Sequence, residues 1–216
     1  MDAKTEVGVK KASETVLGEF ELDSLKEMAN IGTGNASIAL SSLLNTKVKI
    51  DVPTTEVVSV HDVKNYFTRT DELAVGIYSN IKEGMTGNLV LLFPLPSALV
   101  LLDQLGRENA KKNTLSKQDL DILKKLGSVL YSIYLTSIAK FLSLKIIFQP
   151  PNIVSTLESS IIDFVLVDID QEEKCILIRI GFQMEGTGVT GNFILLFTLS
   201  SLTPMINRLK QEMEAG

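Results

Sequence analysis

Glu27 and Asn30 lie in the stretch ELDSLKEMANIGTGNA, residues 21–36, with two residues between them. A carboxylate and a carboxamide at that spacing leave the same side of an α-helix, about one turn apart. The carboxylate can clamp a cation. The amide can hold a water in line without titrating. Stepping about 100° per residue through residues 22–44 sorts the segment into two faces. Leu22, Leu25, Ala29, Gly32, Ala36, Leu40 and Leu43 form the expected buried stripe. Asp23, Glu27, Asn30, Gly34, Ser37 and Ser41 form the opposite face. Gly32 falls in the stripe, where a missing Cβ lets another backbone come close. Gly34, Ser37 and Ser41 are small and leave room for a docking molecule beside Glu27 and Asn30. A phosphate-binding loop does not fit: GTGNAS lacks the third glycine of G-x-G-x-x-G and the lysine of a P-loop, and no strand precedes it. A plain solvated helix face remains the alternative for Glu27 and Asn30.

Other catalytic chemistry has little to draw on. The 216 residues hold one histidine, His61 in VHDVKN, and one cysteine, Cys175 in KCILIRI. His61 reads as a surface loop residue and Cys175 as a buried strand residue. A disulfide framework is impossible, and neither a Cys/His metal site nor a histidine-dependent triad is expected. With 45% hydrophobic and 22% charged residues the chain is long enough for a sizeable core. Its net charge of −5 argues against nucleic acid or an anionic membrane as the main partner. No apolar run reaches the ~18 residues of a membrane span. The opening stretch MDAKTEVGVKKASET is charged and unlike a signal peptide, so the expected location is the cytoplasm.

The elements that must carry this face come twice. TGNLVLLF at 86–93 and TGNFILLF at 190–197 lie 104 residues apart; LDSLK at 22–26 and LDILK at 120–124 lie 98 apart. Two repeats follow, 20–106 and 118–210, within one expected domain of 20–210 behind a loose leader, 1–19. Each begins with a long helix, runs through short strands and ends in a second helix. The strand candidates are KVKIDV, EVVSV, LAVGIYSNI and GNLVLLF, then LKIIFQ, IIDFVLVDI, CILIRIGFQ and GNFILLF. The expected fold class is α+β: two pseudo-two-fold-related units sharing a largely antiparallel sheet, with long exposed helices.

The copies differ where chemistry was read. Asp23 corresponds to Asp121, Glu27 to Lys125, Asn30 to Ser128 and Pro53 to Pro151, while Gly32 becomes Leu130 and Gly34 becomes Ser132. The scaffold is kept and the polar pair is not. Asp121 persists in the copy without the pair, so Asp23 also reads as an N-cap or a helix-dipole residue.

Asp23, Glu27, Asn30 and Pro53, with three, two and twenty-two residues between them, resemble the signature of the CheC/CheX/FliY family of chemotaxis phosphatases. The NIGTGNA run and the duplication resemble the CheC members, and the likeness covers nearly all of the chain from about residue 20. The resemblance implies dephosphorylation of the phosphorylated response regulator CheY. Glu27 would pair with the regulator's active-site lysine and Asn30 would orient the attacking water. The regulator's own Mg2+ would neutralise charge, so no cofactor or metal of the chain's own is expected. The departures at Lys125 and Ser128 predict one working site and a degenerate second, since Lys125 would repel that lysine. A non-catalytic adaptor binding the receptor deamidase CheD or the regulator is the alternative. A small-molecule or nucleotide-binding domain is the weakest reading, for want of a phosphate loop or aromatic clamp. The short flanks weigh against a FliY-type switch component, and the duplication favours a monomer.

Overall fold

The computed structural model describes residues 18–67, 71–107, 114–167, 169, 173–203 and 205–207. Of the leader expected at residues 1–19, residues 1–17 lie outside the described residues, as does the end of the last predicted helix; Gly18 and Glu19 are instead the cap and first residue of a helix. α1 spans Glu19–Leu44, three residues longer at its start than the periodicity predicted. Its first turn is closed by Glu21, whose carboxylate accepts the Gly18 N–H at 3.0 Å. Asn45, with φ 46°, ends it in a left-handed turn. Asp23 is therefore not the cap; it sits in the second turn and pairs with Lys26 at 2.8 Å.

From α1 the chain enters β1 (Val48–Ile50), β2 (Thr54–Ser59) and a short 3-10 helix, Val60–Tyr66. β3 (Leu73–Glu83), β4 (Gly87–Pro94) and α2 (Leu95–Gln104) follow. The second set is α3 (Lys117–Phe141), β5 (Ile147–Phe148), β6 (Asn152–Leu157), α4 (Glu158–Leu166), β7 (Lys174–Met184) and β8 (Thr190–Thr198). Ser116 caps α3: its hydroxyl accepts the Asp119 N–H at 3.1 Å, while Asp119 accepts the Ser116 N–H at 2.8 Å.

One expectation fails. Of IIDFVLVDI, expected as a strand, the first six residues form most of α4, and the strand at this point is the preceding NIVSTL. The β-branched run suggested extension, but the buried residues are Ile161, Ile162, Val165 and Leu166. That spacing is helical, and the intervening Asp163 and Phe164 face solvent. Its counterpart in the first set is the 3-10 helix holding His61.

The eight strands make one antiparallel sheet in the order β1-β7-β8-β4-β3-β5, with β2 also on β7 and β6 also on β3. Each set lends its first two strands to the long hairpin of the other. At the centre β4 lies against β8, pairing Asn88 with Leu196 and Leu92 with Asn192. Those two pairs interchange under the 104-residue offset. The chain is thus α+β, with helices on both sides of the sheet. Strand alternation builds two cores. Ile77, Leu91, Ile178, Phe193 and Leu195 face α1, α2 and α3; Val90, Leu177, Ile194 and Leu196 face α4 and the first 3-10 helix.

Two contacts fix α1. The first is with α3: a Cβ on Gly32 would lie 2.5 Å from the Tyr134 ring, which is fully buried. A side chain occupies the space where sequence suggested a backbone. That ring in turn packs edge-on against Phe193, with centroids 4.7 Å apart. The second is with β1. Ser37 Oγ donates to the Val48 carbonyl at 3.2 Å, and Ser41 Oγ accepts the Val48 N–H at 3.0 Å. Together the serines satisfy both main-chain polar groups of one residue on the edge of the sheet.

Two predictions follow from these contacts. Gly32→Ala should destabilise the fold by about 1–3 kcal/mol through overpacking against Tyr134. Gly34→Ala, with nothing within 4 Å of the added Cβ, should be neutral or stabilising by up to ~1 kcal/mol. Urea unfolding of both variants checks the contrast, and equal effects would refute it. Ser41→Ala should cost about 1 kcal/mol and speed amide exchange at Val48, because it removes that N–H's acceptor.

Candidate functional site

The rotation of α1 decides which residues reach solvent. Leu25, Met28, Ala29, Gly32, Thr33, Ala36, Leu40 and Leu44 are buried. Leu43, assigned to the stripe by periodicity, is exposed, and Leu44 takes its place. The stripe drifts around the helix along its length, so a fixed step misplaces its last member.

On the opposite side Asp23, Glu27, Asn30 and Gly34 are all exposed. Glu27 and Asn30 have no hydrogen-bond or ion-pair partner among the described residues. Asp23 is engaged with Lys26. Gly34 has open space around it, so the surface beside Asn30 is recessed. Ser37 and Ser41 were expected on this open face. Both are half-buried, and their hydroxyls are engaged with Val48. The open surface is therefore Asp23, Glu27, Asn30 and Gly34.

Sequence reasoning missed one member. Ile38 is 69% exposed, one turn beyond Gly34 on the same ridge as Glu27. Apolar residues had all been sought on the buried side. A large exposed side chain one turn from an open glycine and an unpaired acid–amide pair is what a protein-docking helix face offers.

The second helix presents the corresponding positions differently. Asp121 and Lys125 are exposed and Ser128 half-buried. Ser132, at the position of Gly34, is exposed and adds a side chain where α1 has none. No carboxylate–amide pair stands on α3 at this spacing.

The remaining reactive side chains lie elsewhere. His61 is exposed on the 3-10 helix beside Asp62. Cys175 is buried in β7, and burial pushes its thiol up to about 12. It is held as the unreactive thiol. Among the described residues no group of three His, Cys, Asp or Glu side chains could hold a metal, and no helix is long and apolar enough to cross a membrane. The face offers a carboxylate for charge pairing and an amide for positioning.

Residues 20–57, which contain all four signature positions, match the CheC-like family. The CheY-P phosphatase CheC of Bacillus subtilis (strain 168) is 25% identical over 156 residues, 71% of this chain and 75% of that protein. The flagellar motor switch phosphatase FliY of the same strain is 25% identical over 203 residues, 89% of this chain; the chain spans 50% of FliY. Among solved structures, Thermotoga maritima FliY aligns with a TM-score of 0.73 at 21% identity, over 91% of this chain and 98% of that one. The FliM middle domain from H. pylori aligns with a TM-score of 0.65 at 16% identity, over 89% of this chain and 99% of that one. The fold is therefore common to FliY and to the FliM middle domain. The chain thus resembles CheC-like proteins along its first long helix and shares its fold with FliY.

Proposed function

We propose that the chain dephosphorylates phosphorylated CheY, with Glu27 and Asn30 acting from the outward face of α1. The observation that carries this reading is that both side chains are exposed and unpaired, on an intact helix, beside the open surface at Gly34. A merely solvated helix face has no need of that recess. The relatives named as phosphatases support the same reaction class.

An aspartyl phosphate is already an activated acyl phosphate, and phosphoryl transfer demands mainly alignment and charge neutralisation. Docking of α1 brings Glu27 to the regulator's active-site lysine. Asn30 enters beside the phosphoryl group and holds a water in line with the scissile bond. The water oxygen bonds to phosphorus and the P–O bond to the aspartate breaks. Inorganic phosphate leaves carrying both of the water's protons as H2PO4−, and the aspartate carboxylate is restored. Magnesium bound by the regulator's own residues would supply charge neutralisation at the phosphoryl oxygens, and this chain contributes no metal ligand to that step. Nothing in this step requires His61 or Cys175. Lys125 and Ser128 on α3 offer neither the clamp nor the amide, so one working face is proposed.

The FliM-like fold favours one second reading, an adaptor that binds CheD or the regulator without turnover. Phosphate release from phospho-CheY with Mg2+ separates the two. Wild type should accelerate release, and Asn30→Ala should lower the rate roughly 100-fold by removing the positioning group. Glu27→Ala should act mainly by weakening binding, and Lys125→Ala should leave the rate unchanged. Binding of the regulator without any acceleration would replace the phosphatase reading by the adaptor.

A further inference from the structure

The two long helices treat the neighbouring sheet edge differently. In the first set Ser37 and Ser41 bind the carbonyl and N–H of Val48. The positions corresponding to Ser37, Ser41 and Val48 are Leu135, Ala139 and Ile146. Neither Leu135 nor Ala139 has a hydroxyl, and no hydrogen bond ties the Ile146 peptide to α3 among the described residues. Where the strap would lie, a groove of about 280 Å³ opens between α3 and β5. Its apolar floor is Leu135, Ala139, Leu144, Ile146 and Phe148. Ser132, Thr136 and Lys140 line its helix side. β5 ends the sheet, pairing with β3 alone.

Among the described residues that line the groove, the one charged residue is basic, in a chain of net charge −5. Lys140 is exposed, lines the groove and has no ion-pair partner among the described residues. Lys125 is likewise exposed and unpaired, further up the same helix face. Lys145 is already engaged with Glu83 at 3.3 Å. The exposed carboxylate on α3 is Asp121, one turn before Lys125 and far from the groove.

We propose that this groove is a docking site for an extended segment of a partner protein bearing carboxylates and an apolar side chain. The segment adds alongside Leu144–Phe148 as a further edge strand, making the main-chain hydrogen bonds that the serines make in the first set. Its alternate side chains enter the groove, and its carboxylates meet Lys140. The degenerate half of the protein is then a second, independent binding face. It selects by opposite charge from the face at Glu27.

The test uses the whole chain, 15N-labelled, with the acetylated hexapeptide Glu-Leu-Asp-Val-Glu-Leu and its counterpart with lysine at each acidic position. The acidic peptide should shift the amides of Leu144–Phe148 and bind at least about tenfold more tightly than the basic one. Lys140→Glu should weaken it by about tenfold while Lys140→Arg keeps it. Ala139→Ser restores the hydroxyl of the first set. It should slow amide exchange at Ile146 and reduce peptide binding, with the thermal midpoint retained. Equal binding of both peptides, shifts confined to α1, or no response at millimolar peptide would overturn the proposal. Phosphate release from phospho-CheY should be unaffected by Ala139→Ser, so this result and that of the catalytic test are read separately.

Discussion

The Tyr134 ring occupies the space a Cβ on Gly32 would need, and this contact sets the rotation of α1. An amphipathic helix has one stripe to bury. Once Gly32 is seated on that ring, Leu25, Ala29 and Ala36 are committed to the core. Glu27 and Asn30 must then face outward. A large side chain at position 32 would turn or lift the helix and redirect the pair. The serines at 37 and 41 complete the arrangement by fixing the C-terminal half of α1 to β1. The site is held by side chains on the face of the helix that does not carry it.

The same device explains why the second half diverges without loss of fold. Position 130 holds Leu where position 32 holds Gly, yet both helices pack on the same core. The sheet tolerates this because each half completes the other's edge, β2 on β7 and β6 on β3. Burial is therefore shared between the halves, while the outward helix positions are free to differ. Glu27 and Asn30 against Lys125 and Ser128 is that freedom expressed in chemistry.

Much of this was legible in the residues. The strands built on LAVGIYSNI, GNLVLLF, CILIRIGFQ and GNFILLF lie where their apolar runs placed them, because a strand buried on both faces reads as a continuous run. The outward placement of Asp23, Glu27, Asn30 and Gly34 came from helical periodicity alone. Three features did not. α4 was hidden by β-branched residues whose i, i+1, i+4 burial becomes visible only against the sheet. The serine strap depends on where Val48 comes to lie, which no local pattern encodes. Ile38 was overlooked because an apolar residue on a polar face has no meaning until the buried face is known.

The central claim is that the outward ridge of α1, from Glu27 to Ile38, is the surface that meets the regulator. The most direct measurement is amide-shift mapping on the 15N-labelled chain titrated with CheY held in its phosphorylated form. The account predicts perturbations along α1 around Glu27, Asn30, Gly34 and Ile38, weakened by Glu27→Ala, with α3 silent. Perturbations centred on α3, or an α1 that does not respond while the regulator binds elsewhere, would contradict it.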